Sequence, residues 1–219
     1  MTPPIEEHAS AASPPGWTRT QGDVEPHAQS PVTRGLSHIV GFDDAPFAPG
    51  HRGDVSVVGA VFAGQRLDGV VSCKVRRDGA NATAALRDCI RNSRYFRQLH
   101  AVLLQGIAFA GFNVVDLSAL NASVGLPVLV VSRKRPSLGA IRAALLDHVR
   151  GGARKWKLIE AAGPMEPIAG LYAQRAGMTP EQARGLLQRL AIHGTLPEPL
   201  RVAHLIAGGI ARGQSSGRP

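Results

Sequence analysis

Three aspartates and one helical histidine are the residues of this chain best suited to chemistry. Asp43 and Asp44 close a short apolar run, Ser37-His38-Ile39-Val40-Gly41-Phe42, and Asp78 follows a longer Val-rich one. Carboxylates at the carboxyl ends of strands line the ligand crevice of open α/β sheets. Several such oxygens converging on one point would bind Mg2+ or Mn2+, hard ions that favour carboxylate and keep waters for reaction. Taken singly, each Asp also suits a turn or a helix cap. The histidine lies in Leu196-Pro197-Glu198-Pro199-Leu200-Arg201-Val202-Ala203-His204, a Pro-rich entry running into an amphipathic helix. Pro199 sits where a missing N–H costs nothing, and Leu200, Ala203, Leu205 and Ile206 supply an apolar face. Arg201 and His204, three apart, project to neighbouring positions on the helix surface. A lone helical His is more often structural than a ligand, so the segment takes its meaning from what accompanies it.

The elements that must position these residues follow from periodicity. Asp54 to Ala63 and Arg66 to Val75 are Val-rich strands joined at Gly64-Gln65, which predicts a hairpin. Ala80 to Phe96 reads as a helix with Leu86, Cys89, Ile90 and Ser93 on one face and Asn81 or Thr83 as its cap. His100 to Leu104 and Pro127 to Val131 are short, uniformly apolar strands suited to a buried sheet. Between them lie a Gly- and Phe-rich loop, Ile107 to Asn113, and a helix from about Val114 to Val124. A helix over Ser137 to Val149 and an added strand over Ile168 to Ala176 come next. Thr179-Pro180-Glu181-Gln182 fits a capping box opening a helix to Ile192, and the last helix spans Pro199 to Arg212. An antiparallel hairpin followed by alternating helices and strands implies an α/β fold with a mixed sheet and helices on both faces.

Composition bounds the reading further. No run of about 18 apolar residues exists, so no membrane span is expected. The N-terminus lacks the pattern of a secretory signal, and Cys73 and Cys89 are too few for a disulfide scaffold or a Cys-rich zinc site; a cytoplasmic protein with reduced thiols is expected. Residues 1–36 are rich in Pro, Ser and Ala without apolar periodicity and read as a disordered leader. They hold two Arg against Glu6, Glu7, Asp23 and Glu25, so with a net charge of +9 overall the remainder carries +11. Such an excess attracts a polyanion, of which nucleic acid is the commonest, although it also describes a merely solvated basic surface. An ordered domain over 37–213 and a flexible tail over 214–219 complete the expected organisation.

The order, spacing and local sequence resemble endonuclease V, a nuclease of ribonuclease-H-like fold. Val40-Gly41-Phe42-Asp43 matches its first strand, and Leu104-Gln105-Gly106 stands where its central strand ends in Val-Asp-Gly. Pro127-Val-Leu-Val-Val-Ser-Arg133 aligns without gaps with a strand of the type Pro-Thr-Ile-Gly-Val-Ala-Lys. Leu196 to His204 matches a C-terminal signature, Leu-Pro-Glu-Pro-Thr-Arg-Leu-Ala followed by His or Asp, almost letter for letter. A closer resemblance, over nearly all of 37–219, is to the endonuclease dU family of endonuclease V homologues. It is carried by Gly41 to Asp44, Arg77 to Thr83, Gly106 to Asp116 and Pro197 to Gly209.

The resemblance implies a Mg2+ or Mn2+ site built from the first-strand Asp43, a second acid for which Asp78 is the candidate, a central-strand Asp, and His204. Asp44 is a family feature beside them. The central Asp is replaced by Gln105, which keeps one carbonyl oxygen but removes a charge that a divalent ion needs; Asp44 or Asp116 are the available substitutes. Asp43, Asp78 and His204 are the expected catalytic residues. Arg133, Lys134 and Arg201 are candidates for phosphate contacts, Arg133 and Lys134 being equally well explained as a basic strand-to-helix turn. Phe109 and Phe112 could stack on a base or pack a loop over the sheet. The function implied is a metal-dependent endonuclease or repair protein acting on DNA or RNA, with deaminated bases as the lesion it would act at. The alternatives are a nucleic-acid-binding protein that has lost its metal chemistry and an enzyme acting on a small phosphorylated metabolite.

Overall fold

The computed structural model describes residues 36–215; the expected leader up to residue 35 and the last four residues of the expected tail lie outside them. The chain runs β1 (His38–Asp44), β2 (Asp54–Ala63), β3 (Arg66–Arg76), α1 (Ala82–Arg91), β4 (Ala101–Gln105), β5 (Ala108–Phe109), β6 (Asn113–Val114), α2 (Leu117–Val124), β7 (Val128–Ser132), α3 (Leu138–His148), α4 (Gly152–Ala161), β8 (Glu166–Ile168), β9 (Leu171–Ala176), α5 (Pro180–Leu190) and α6 (Glu198–Arg212). Seven strands form one mixed sheet in the order β3-β2-β1-β4-β7-β9-β8. β1, β4 and β7 are mutually parallel at its centre, and β2 and β9 run antiparallel to them on either side. No helix among the described residues is long and apolar enough to cross a membrane.

Strand periodicity sorts the core into two layers. Val40, Phe42, Val102, Leu104 and Val130 meet Leu86 and Ile90 of α1 and Leu117 and Leu120 of α2 on one face. Ile39, Leu103, Leu129 and Val131 meet Leu186, Leu187 and Leu190 of α5 and Leu200 of α6 on the other. The sheet is therefore covered on both sides, as expected. Because β1, β4 and β7 are parallel, and β3 runs in the same sense through β2, their carboxyl ends share one edge of the sheet. Asp43, Gln105, Arg133 and the segment after Arg76 all reach that edge.

Several elements differ from expectation for local reasons. α1 stops at Arg91, because the Ser93 hydroxyl donates to the Ile90 carbonyl and takes over the helix end. Its N-terminus is not capped by Asn81 or Thr83. The buried Asn113 accepts from the Ala82 N–H through Oδ1 and donates through Nδ2 to the Arg76 carbonyl and Asn81 Oδ1. Asn113 and Val114 pair with Ala108 and Phe109 in a small ribbon, so α2 begins later than expected, with Asp116 as its cap. α4 was not visible in the sequence at all. Its N-terminus carries no side-chain cap, and Gly152 is needed there because a Cβ would lie 1.8 Å from the Leu145 carbonyl oxygen of α3.

Asn113 joins β3, α1 and the ribbon through three hydrogen bonds. Asn113→Ala should cost about 3 kcal/mol of unfolding free energy in denaturant melts, since it orphans buried partners. Asn81→Ala, which leaves the α1 bond intact, should cost clearly less. Equal losses for the two would contradict this assignment of the cap.

Candidate active site

The site grows from the end of β1. Asp43 points to the α6 face, since it continues the Ile39–Gly41 side of the strand. Gly41 lets α6 approach there: a Cβ at this position would sit 2.6 Å from the Pro199 carbonyl carbon and 2.8 Å from the Leu200 nitrogen. Pro199 lies in the first turn of α6, so the helix starts against β1. One turn later His204 Nδ1 lies 2.7 Å from Asp43 Oδ2, joining residues 161 apart in sequence. Asp43 Oδ1 accepts from the Asp44 N–H at 2.9 Å. Asp43 is only 4% exposed. Burial, and then the Asp44 carboxylate, push its pKa up to about 6, against the opposing pull of His204. A carboxyl group titrating near neutrality, hydrogen-bonded to an imidazole, can take up or release a proton at working pH.

Gln105 ends β4 next to Asp43, one register step beyond the Phe42–Leu104 pair. Its Oε1 is buried without a hydrogen-bond partner among the described residues. Such an orphaned acceptor is costly unless a ligand or solvent donor meets it, and it faces the same side of the sheet as Asp43.

The other predicted ligands are committed elsewhere. Asp44 turns to the opposite face, where its Oδ2 accepts from the Ala110 N–H at 2.8 Å; burial raises its pKa despite that bond. Asp78 has a left-handed backbone, φ 49°. Its Oδ1 accepts from the Phe112 N–H at 2.8 Å, its N–H donates to the Ala110 carbonyl, and its Oδ2 lies 3.3 Å from Arg77 Nε. The Asp78 carbonyl accepts from Nζ of the buried Lys155 on α4 at 2.5 Å. Asp44 and Asp78 thus clamp the Gly-rich ribbon between β4 and α2. Asp116 accepts from the Ala119 N–H as the α2 cap. Among the described residues no three His, Cys, Asp or Glu side chains converge so as to hold one ion. The structure brings Asp43 and His204 together, while Asp44 turns to the opposite face of β1 and Asp78 is held at the ribbon.

The expected nucleic-acid contacts are also sorted. Phe109 is 0% exposed within the core and cannot stack on a base. Phe112 packs against the Val114, Leu145 and Ile159 cluster. Arg201 forms a two-pronged bond to Glu198, at 2.8 and 2.5 Å, that holds the first turn of α6. Arg133 and Lys134 are exposed at the carboxyl end of β7, on the same edge as Asp43. The roles of Gly41, Asn113 and Lys155 were missed. The first two lie in segments that carried the resemblance, and Lys155 had no signal.

Two predictions follow from this geometry. Gly41→Ala should lift α6 from β1, costing at least about 2 kcal/mol as an overpacked backbone contact, and should weaken the His204–Asp43 hydrogen bond, visible as an altered imidazole NMR shift. Because the folded protein holds the Asp43 proton up to about pH 6 whereas the unfolded chain releases it near 3.8, this group favours folding at low pH. That contribution is lost as pH rises from about 4 to 6, by on the order of 2–3 kcal/mol. Asp43→Asn should therefore gain stability relative to wild type between pH 4.5 and 7.5; no relative gain would place the carboxyl in a more polar setting.

Comparison with known proteins agrees with this architecture. The family model described as endonuclease dU matches residues 36–211. A UPF0215 protein of Deinococcus radiodurans is 60% identical over 183 residues, 84% of this chain and 93% of that protein. The crystal structure of a protein of unknown function from Archaeoglobus fulgidus is similar at TM-score 0.75 and 32% identity, covering 80% of this chain and 99% of the other. Human ENDOV shares the fold at TM-score 0.54 and 18% identity, over 84% of this chain and 88% of the other. With an endonuclease V-like fold and a family match spanning every element from β1 to α6, the chain belongs to the endonuclease dU family.

Proposed function

We propose that this protein is a nuclease of nucleic acid that works at the carboxyl edge of its sheet, where Asp43 and His204 handle the proton of a phosphodiester reaction. The observation that carries this reading is the 2.7 Å Asp43–His204 contact between β1 and α6. Fixed by Asp43, the imidazole has one defined orientation. When Nδ1 carries the proton donated to Oδ2, the other ring nitrogen is an acceptor able to take a proton from water or a sugar hydroxyl. Gln105 Oε1, unpartnered and on the same side, would accept from that water or from an N–H of a base. The described domain's basic excess, with Arg133 and Lys134 on the same edge, supports a polyanionic partner, DNA or RNA. A deaminated base as the feature recognised, and Mg2+ or Mn2+ as the cation required, belong to the same reading. Among the described residues the expected ligands of that ion do not converge on one point.

A specific observation favours a second reading: Gln105 is neutral and the other aspartates are engaged, so the protein could bind nucleic acid without cutting it. One experiment separates the two. Labelled single strands and duplexes carrying uracil, hypoxanthine or no lesion are incubated with Mg2+, Mn2+ or chelator. The nuclease reading expects cleavage, reduced at least 100-fold by His204→Ala or Asp43→Asn, the scale of losing general acid–base catalysis. Binding without cleavage, with activity appearing only in Gln105→Asp, would instead establish the degraded-site reading. Neither binding nor cleavage would overturn both.

A further inference from the structure

The loop between β1 and β2 borders an open surface pocket of about 460 Å³ lined by His51, Arg52, Gly53, Arg77 and Asp78. It opens on the same sheet edge as Asp43, because β3 ends there and β2 begins there. The loop is held from within. The Arg77 N–H donates to the Gly53 carbonyl, and its guanidinium donates to the Pro49 carbonyl and, at 2.5 Å, to the His51 carbonyl. The same guanidinium lies 5.6 Å from the centre of the Phe47 ring. Arg77 is thereby fixed as a wall of the pocket, while its charge is offset by Asp78 at 3.3 Å. His51 is oriented by donating Nε2–H to the Asp54 carbonyl at 3.1 Å. Arg52 is different: it is exposed and has no hydrogen bond or ion pair among the described residues.

A rigid polar pocket with one uncommitted guanidinium at its mouth suits a tetrahedral oxyanion, which Arg binds through two parallel N–H donors. The geometry points to a phosphate-binding subsite formed by Arg52 and the 50–53 backbone, with the His51 ring as part of its wall, which holds a phosphate neighbouring the one at Asp43–His204. This rests on the nuclease reading only for the identity of the second phosphate. Two strand spacings separate β3 from β1, about 10 Å. Both places lie along one edge of the sheet, so a single strand of a few nucleotides laid along that edge reaches from one to the other. Two sources of phosphate fit the pocket, a phosphodiester of a nucleic acid strand and a free phosphate, and they are told apart by experiment.

Arg52 supports no other residue, so its variants should fold as the wild type does. Fluorescence anisotropy with a labelled 15-nucleotide single strand is measured across a salt series for wild type, Arg52→Ala, Arg52→Glu and Asp43→Asn, alongside thermal shifts with inorganic phosphate. The expected result is a roughly tenfold weaker oligonucleotide affinity for Arg52→Ala, a larger loss for Arg52→Glu, and a salt slope reduced by about one. Asp43→Asn should retain binding even where cleavage is lost. An Arg52-dependent thermal shift with inorganic phosphate, and no Arg52 effect on the oligonucleotide, would show that the pocket serves free phosphate and overturn the phosphodiester assignment. Unchanged affinity, slope and thermal shift in both Arg52 variants would overturn the subsite while leaving the nuclease reading to its cleavage assay. Loss of cleavage in Asp43→Asn with intact Arg52-dependent binding supports both.

Discussion

The close seat of α6 on β1 controls the chemistry of this molecule. A helix packed on a sheet normally rests on side chains, about 10 Å away. Here the Pro199–Leu200 backbone meets the strand at a residue without a side chain, Gly41. The helix entry is stiffened by Pro197 and Pro199 and by the Glu198–Arg201 pair within its first turn. Glu198 is buried, and its pKa is held below the usual range chiefly by its bond to Arg201. These constraints deliver His204 to Asp43. They also explain why the Leu-Pro-Glu-Pro-Leu-Arg segment is so specific a signature: nearly every residue in it fixes the position of the histidine that follows.

Opposing electrostatic effects act on adjacent aspartates. Burial disfavours the charge on both Asp43 and Asp44, and each strand position sends its carboxylate to a different layer. Asp44 is answered by a backbone N–H and becomes part of the scaffold. Asp43 is answered by an ionisable ring and stays chemically available. The substitution at Gln105 belongs to the same balance. A third carboxylate beside Asp43 would raise the repulsion further unless a cation were bound, whereas an amide adds no charge and leaves an acceptor to spare.

Much of this was legible in the sequence, and the rest was not for definable reasons. The β2–β3 hairpin was marked by Gly64-Gln65 and α5 by its capping box, and both are present, α5 ending at Leu190 rather than Ile192. The meeting of Asp43 and His204 was expected from a resemblance rather than from spacing, because nothing local links residues 161 apart. The role of Asn113 was missed, and for Asp78 and Phe109 the structure takes the alternatives of a turn residue and of core packing, because their partners are non-local. An Asn within the ribbon caps α1, an Asp in a left-handed turn clamps a loop, and a Phe in a Gly-rich stretch is core. α4 lacks a cap and a clean periodicity, and is held by its packing on α3 and by Lys155 reaching Asp78.

The central claim is that Asp43 and His204 act as one unit on a phosphodiester. A double-mutant cycle on the cleavage rate tests it most directly, using Asp43→Asn, His204→Gln and the double variant. Residues that act as a unit are strongly non-additive, so the double variant should be scarcely slower than the worse single variant. Losses that multiply, as for two independent sites, would contradict the account.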